Sequence, residues 1–462
     1  MQRKNNLTNL LSNHKGILGL IVGSGVFQLL IYLKLFFLGN FKENIMIYTA
    51  LFLVIFLIYL AICLIIFRTN KISLSKKEIN RLVITILIFS IIFRSVMVYT
   101  ESTLSTDVLR FAWDGRLLKY GVDPYAHEPY STELDWLKNV PYFEAYDHKD
   151  EISPYPPFAQ MAFLFLSIIS ESLFSLKISF SVLDMINCIL LAYLLHNMVA
   201  RRYLGGMILY SWSPLMIIEI SSSSHMEPLP IFFILTSLIL LSKKRLFYST
   251  LSYTLAIWSK IFPILLLPIY LKYLNTKNKS TIVIQHSIII IVLSFSLYVP
   301  FILSSGANVF LGLYRYFSGW FFNPSLFLLF RIMLYEIGVP YAISRILTGI
   351  IFLFLAFRLA YFKEARDLES FAYLSILTLG LSVMLAPAVF PWYSSWIIIF
   401  CAIVGLNLRT LPWIILSGTA GFVYLLQYMS DINFIHIALI EYVPVYLTLV
   451  LAYDPPPFLR RN

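Results

Sequence analysis

Charge is what this sequence has least of. Asp, Glu, Lys and Arg make up 13% of its 462 residues, about half the ~25% usual in a soluble domain. That shortage excludes an ordinary globular protein. Cysteine is nearly absent: Cys63, Cys188 and Cys401 each lie inside an apolar run. A disulfide framework is therefore not expected, and no ligand spacing suggests a metal. There is no low-complexity tract and no clear internal repeat. No cleavable leader is evident either, because residues 1–15 are basic and polar and the first apolar run is long enough to span. Acid is the scarcest charge, 24 Asp and Glu against 35 Lys and Arg. The resulting net charge of +11 does not point to nucleic acid. The basic residues sit in short loops between apolar runs, the pattern of a positive cytoplasmic face.

What remains is hydrocarbon. The sequence is 59% hydrophobic and 16% aromatic, with a mean hydropathy of +0.79. Ile45 to Phe67 carries no charge and is long enough to cross a bilayer core of about 30 Å. Backbone groups in lipid must pair internally, which leaves helices or a closed barrel, and uniform runs of this length mean helices. The expected fold is an all-α polytopic membrane protein. Its bundle has about 12–14 transmembrane segments and a large helical first outer loop.

Charge orients the runs. Residues 1–15 start inside, Ile17 to Leu38 goes out, and Ile45 to Phe67 returns to a loop holding Arg68, Lys71, Lys76, Lys77 and Arg81. Leu82 to Tyr99 then leads to residues 100–154 on the outer face. Pro156 to Ala200 makes one net crossing, as one span plus a re-entrant piece, or else it crosses twice. Leu204 to Ile220 goes out, Ser221 to Glu227 is outside, and Leu229 to Leu241 returns. Residues 246–274 break at Trp258-Ser-Lys-Ile-Phe-Pro263, with Lys260 at an outer tip. A charge in hydrocarbon there costs at least ~2.5 kcal/mol. A second outer loop, Ser304 to Asn323, carries Arg315, and Phe390-Pro-Trp-Tyr393 forms a later outer turn. Both termini come out cytoplasmic, the last at Arg460-Arg461.

Nearly half of the acid is in one segment. Residues 100–154 hold Glu101, Asp107, Asp114, Asp123, Glu128, Glu133, Asp135, Glu144, Asp147, Asp150 and Glu151. Membrane spans need no such loop, so chemistry is sought there first. Thr106 to Lys119 reads as a helix, capped by Ser105 or Thr106 and stopped by Gly121 and Pro124. Asp107, Arg110 and Asp114 share one face; Leu104, Val108, Phe111, Gly115 and Leu118 form an apolar stripe beside it. Such a helix is expected along the membrane surface, carboxylates up. The plainer alternative is a structural helix with an Arg110–Asp114 ion pair.

The unusual outer groups collect on one side: Asp107, Arg110, Asp114, Tyr155, His225, Glu227, Lys260, Arg315, Trp392 and Tyr393. A carboxylate can act as general base on a hydroxyl while cations hold a phosphate leaving group. Each has a simpler explanation. Asp107 can be a helix cap, and Asp114 a partner of Arg110 or Arg116. His225 can be a loop residue, Lys260 a snorkelling anchor, and Trp392 and Tyr393 an interfacial aromatic belt. Arg94 and Asp184, inside apolar runs, are expected to pair in the bundle or brace a loop. Asp147, His148 and Asp150 lack the clustered pattern of an ion loop, so no metal is expected.

Three motifs then carry a resemblance. Asp107-x-x-Arg110-Phe-Ala-Trp-Asp-Gly-Arg116, Gly121-Val-Asp-Pro-Tyr125 and Tyr155-Pro-Pro-Phe-Ala-Gln160 resemble the polytopic GT-C glycosyltransferases. The likeness is closest to the bacterial polyprenyl-phosphate-mannose-dependent, mannosyltransferase-like group. Trp212-Ser-Pro214 before Glu219 and His225, Lys260 before Pro263, Asn323, and Pro391-Trp-Tyr393 follow in the right order, over residues 82–400. Phe111 stands for the usual Tyr, Asp123 for Asn, and Met226-Glu227 for Asn-Asp.

The resemblance implies an inverting transfer of a hexose, commonly mannose, from a polyprenyl-phosphate sugar on the outer face. Asp107 would be the general base. Arg110, Lys260, Arg315 and His225 are the candidates to hold the donor phosphate or substrate. Asp114, Tyr155, Glu227, Trp392 and Tyr393 are the pocket candidates. No metal or other cofactor is implied. The expected partners are the lipid-linked sugar, a glycan, glycolipid or protein acceptor, and membrane lipids. The expected location is a bacterial inner (plasma) membrane, with the active site on the periplasmic side. The expected organisation is residues 1–81 as a cytoplasmic segment and extra hairpin, 82–400 as the catalytic module, and 401–462 as C-terminal helices and tail. A transporter or flippase for lipid-linked sugars is the competing reading, with a scaffold that binds them behind it. Broken helices repeated in two halves would favour the flippase, and no second copy of the Lys260 break is visible.

Overall fold

Long apolar runs and few turn signals fold here almost wholly into helix. The structure, a computed structural model, describes residues 13–69, 74–275 and 279–453. Residues 1–12, Lys71 and Arg460-Arg461, which entered the charge argument, lie outside these. Helix makes up 77% of the described residues. Among the described residues there is no strand, only an isolated bridge between Phe322 and Ala388.

The chain begins with α1 (His14–Leu38), α2 (Ile45–Arg68), α3 (Lys76–Val98) and α4 (Asp107–Lys119). After a long loop come α5 (Pro157–Ile169), α6 (Leu173–Leu195), α7 (Ala200–Ser211) and α8 (Pro214–Ile217), the last running into a π turn, Ile218–Ser222. Next are α9 (Pro228–Ser242), α10 (Leu246–Ser259), a 3₁₀ turn and α11 (Leu267–Leu274). α12 (Ser280–Ser305) and α13 (Leu311–Gly319) follow, then α14 (Leu326–Glu336), α15 (Tyr341–Phe362) and α16 (Leu368–Leu385). The last are α17 (Ser395–Val404), α18 (Leu411–Thr419), α19 (Val423–Tyr428) and α20 (Phe434–Tyr453).

The ends follow local chemistry. Asn13 accepts a hydrogen bond from the Gly16 amide at the start of α1, and Gly39 closes that helix at φ +72°. Ser75 and Glu78 form a reciprocal capping box on α3. Pro156 and Pro157 open α5 where a missing N–H has no intrahelical partner.

Nine elements among the described residues are long and apolar enough to span: α1, α2, α3, α6, α12 with α13, α15, α16, α18 with α19, and α20. The pair α7 and α8, bent by 41°, makes a possible tenth. The run count gave twelve to fourteen. The rest fold as shorter apolar helices at 157–169, 228–242, 262–274 and 391–404. At 1.5 Å per residue such pieces reach roughly 20–23 Å, short of a full core. Pro156 to Ala200 thus becomes one short helix and one full-length one. The second outer loop is mostly helical, since α13 continues α12 through a 3₁₀ turn.

The chain divides into two compact units. The first comprises residues 1–104, 185–222 and 390–462. Within it, Gly418 of α18 packs on the Phe56 ring of α2, and Gly206 of α7 packs on the Ala402 backbone of α17. Its buried polar groups are spent on the interior. Arg94 donates to the Ser211 carbonyl at 2.8 Å, and the Tyr424 hydroxyl donates to Glu219 at 2.9 Å. Trp392 and Tyr393 belong to this unit, Trp392 stacked on Phe390 at 4.7 Å and Tyr393 on Trp396 at 4.1 Å.

The second unit comprises residues 105–184 and 223–389. Its centre is α4, and here the structure corrects the expected surface helix. Val108 to Leu117 is buried without interruption. One side meets α5, where Phe111 stacks on Phe163 at 4.9 Å. The other sides are closed by the folded loop, where Trp113 packs on Phe143 at 4.9 Å. A helix wrapped this way needs no amphipathic split.

Gly115 permits the α4–α5 approach. A Cβ there would lie 2.6 Å from the Phe163 carbonyl oxygen, which is backbone and cannot swing away. Gly115→Ala is expected to lower stability by about 1–3 kcal/mol, read as a fall in thermal unfolding midpoint in detergent. Gly19→Ala is the control: a Cβ there meets nothing within 4 Å. It should be neutral or slightly stabilising.

Candidate active site

The second unit brings together most of the charged groups singled out in the sequence. Asp107 is the first residue of α4, where a carboxylate suits the positive helix end. Thr106 precedes it without a side-chain cap bond, and the Asp107 amide donates to Ser105 Oγ at 3.3 Å. The Asp107 carboxylate is 3.5 Å from Nδ1 of His225, which is fully buried, while a third of the Asp107 side chain stays exposed. It is therefore a carboxylate with one held side and one open side.

His225 comes from the polar island Ser221 to Glu227, expected as an outer loop. The island is instead buried throughout. Ser224 turns it at φ +63°, a left-handed conformation uncommon for a residue with a side chain. That turn presents His225 to Asp107 and Glu227 to Lys260. Lys260 lies in extended conformation at the break after α10. Its ammonium forms an ion pair with Glu227, whose side chain is almost wholly buried, while Lys260 keeps a small exposed fraction.

Burial alone would raise the Asp107 pKa. The hydrogen bond and charge of His225, then Lys260 and His148, outweigh it and hold the carboxyl below the usual carboxylate range. Asp107 is thus ionised at neutral pH, and its basic form is lost only as pH falls through that depressed value.

Arg110 takes the plainer of the two places its spacing allowed. Its Nε is 2.8 Å from Asp114, and its Nη1 donates to the Tyr146 hydroxyl and to the Glu151 carbonyl. Asp114, fully buried, also accepts from Ser153 Oγ at 2.5 Å and Gln160 Nε2 at 2.9 Å. Burial pushes the Asp114 carboxyl up against the pull of Arg110, Ser153 and Gln160. Burial opposes the Arg110 charge, but Asp114 and then Tyr146 push the guanidinium above its ordinary value. The plainer reading, an Arg110–Asp114 pair, describes these two residues, and Arg116 is paired with Glu171 instead. Together they pin α4 to the loop and to the start of α5.

Tyr155 packs against α4 and α5. Its ring is edge-on to Phe111 at 5.1 Å. Burial and then the Asp107 carboxylate push its hydroxyl pKa well up, so it stays protonated. Arg315 is paired with Glu128 at 3.0 Å and donates to the Asp150 carbonyl. Among the described residues no three His, Cys, Asp or Glu side chains converge as a metal ligand set. Sequence reasoning missed Ser153, Tyr146 and His148 as neighbours of the site. Only Gln160, inside the third motif, had a signal that could have flagged it.

A pH experiment separates the role of His225 from that of Arg110. His225→Gln removes the foremost lowering influence on Asp107, so the acid limb of the pH–rate profile should move to higher pH. Arg110→Gln should leave the limb in place and destabilise the fold by about 3–5 kcal/mol, because Asp114 is left buried and uncompensated.

A family model described as alpha-(1->6)-mannopyranosyltransferase, N-terminal domain, the MptA_B family, matches residues 32–275. The match begins within α1 and takes in all of α2 as well as the Asp107, His225 and Lys260 segments. No curated protein matches, and no solved structure matches.

Proposed function

The chain belongs to the MptA_B family of alpha-(1->6)-mannopyranosyltransferases, and from that premise we propose that it moves a mannosyl unit from polyprenyl phosphate to an acceptor hydroxyl. Membership makes it a glycosyltransferase, and the nine spans long and apolar enough to cross a membrane among its described residues make it an integral membrane protein. The observation that carries the finer reading is the half-open Asp107 carboxylate, kept ionised by His225 with Lys260 nearby.

In the proposed reaction Asp107 takes the proton of the acceptor hydroxyl as that oxygen attacks the anomeric carbon. The bond from that carbon to the phosphate oxygen breaks on the opposite side, and polyprenyl phosphate leaves with the electron pair. The configuration inverts, so an α-linked product requires a β-linked donor. Lys260 balances the charge that gathers on the leaving phosphate. His225 orients Asp107 and helps keep it charged. Arg110 and Asp114 hold the helix that carries the base. Arg315 braces the loop.

We place the acidic loop, and with it the site, on the outer face of the membrane, which the charge pattern of the flanking loops supports, and we take that membrane to be a bacterial inner membrane from the motif resemblance. Purified protein given polyprenyl-phosphate mannose should release polyprenyl phosphate only when an acceptor is present. Neither binding nor turnover across a panel of polyprenyl-phosphate hexoses would remove this reading.

A further inference from the structure

Beside Asp107 lie groups that the reaction above does not use. Thr106, the residue before Asp107, donates from its hydroxyl to Asp147 at 2.9 Å. The turn at Asp147-His148 is thereby tied over the start of α4, and both side chains are exposed. His148 is held at φ +55°, a strained conformation for a residue with a side chain. The His148 imidazole is also among the charges felt by Asp107.

The His148 ring lies 4.8 Å from the Trp320 ring, and Trp320 lies 5.5 Å from Tyr316. This small aromatic shelf is firmly mounted. Arg345 donates to the Trp320 carbonyl at 2.8 Å and also to the Phe317 carbonyl. Two residues on, Phe322 exchanges backbone hydrogen bonds with Pro387 and Val389. Trp320 itself is half-buried.

We propose that the Trp320–His148 shelf, with Asp147 at its edge, binds the terminal neutral sugar of a glycan acceptor and directs its hydroxyl to Asp107. This rests on the function proposed above and names its acceptor class. The chemistry fits a pyranose. One ring face presents polarised C–H bonds to the negative face of an indole, while hydroxyls at the rim meet a carboxylate and an imidazole. Charge selects against an anionic occupant. The loop's eleven carboxylates outnumber its Arg110, Arg116, Lys119, Lys138 and Lys149. A phospholipid headgroup would be repelled there, whereas a neutral glycan would not. The donor phosphate has its cation elsewhere, at Lys260.

The test uses full-length protein, with an α-(1→6)-linked mannotriose as probe. Calorimetry measures its binding on an Asp107→Asn background, where no turnover intervenes, with and without Trp320→Ala. Transfer kinetics are then run on Trp320→Ala and Trp320→Phe with Asp107 intact. The proposal expects binding to weaken about tenfold in Trp320→Ala. The acceptor KM should rise in parallel, the donor KM should stay within about twofold, and most of the affinity should return in Trp320→Phe. Unchanged mannotriose affinity in Trp320→Ala would overturn it. So would a rise in donor KM alone, or a defect that disappears on moving from detergent to anionic vesicles, which would make Trp320 a lipid contact. If the wild-type protein transfers nothing from polyprenyl-phosphate mannose yet binds mannotriose through Trp320, the donor assignment falls and the shelf stands.

Discussion

Asp107→Asn is expected to lower transfer by about 10²- to 10⁴-fold, the range a positioned general base contributes, while donor affinity stays near wild type. The amide keeps the size and helix-end position of the carboxylate but cannot take a proton. His225 remains 3.5 Å away as a neighbour, so the local packing survives the change. Because Asp107 is held below the usual carboxylate range, wild-type activity should be flat through neutral pH and fall on acidification. The variant should lose that acid limb together with its rate. A reduced rate that still followed the wild-type acid limb would assign the titrating base to another residue.

Lys260→Met is expected to slow transfer by about 10²- to 10³-fold, the cost of removing one preorganised charge from a developing anion. It carries a second cost. Glu227 is almost wholly buried in its ion pair with Lys260, and removing one partner of such a pair destabilises by about 3–5 kcal/mol. The two effects separate in the double replacement, Lys260→Met with Glu227→Gln. Neutralising both partners should recover much of the unfolding midpoint and none of the rate. Recovery of rate in the double variant would make Lys260 only the counter-ion of Glu227. Lys260→Arg, which keeps the charge on a different head, should fall between.

Much of the fold is legible because lipid leaves so few choices. Charge-free runs such as Ile45 to Phe67 become α2, and Pro156-Pro157 and Ser75 with Glu78 mark helix starts by rules acting within one turn. The break at Lys260 was also readable, since a charge and a proline three residues apart cannot continue an apolar helix comfortably. The Asp107–Arg110–Asp114 spacing placed three groups on one helix face, but spacing could not say which would meet. Arg110 and Asp114 sit at i and i+4 and bind each other. The neighbour of Asp107 comes instead from His225, far along the chain.

The burial of α4 was hidden for a related reason. Its closure depends on Phe143, Tyr146 and Ser153 folding back over it from a loop with no periodicity to read. The number of full spans was overstated because apolar runs are counted by length before breaks. Pro157–Ile169, Pro228–Ser242, Phe262–Leu274 and Pro391–Val404 are apolar, but breaks leave each of them shorter than a full crossing. Ser221 to Glu227 looked like a loop because it is polar. It is buried because its polar groups face the protein rather than water.

The central claim is that Asp107 drives covalent transfer of mannose from a lipid phosphate. The most direct measurement follows radiolabelled mannose on polyprenyl phosphate through proteoliposomes containing wild-type protein or Asp107→Asn, with a mannoside acceptor present. The account predicts that wild-type protein moves label into an α-linked product one for one with polyprenyl phosphate released, and that Asp107→Asn binds the donor but leaves the label on lipid. Label that stays on polyprenyl phosphate and merely changes leaflet, equally in both proteins, would contradict it.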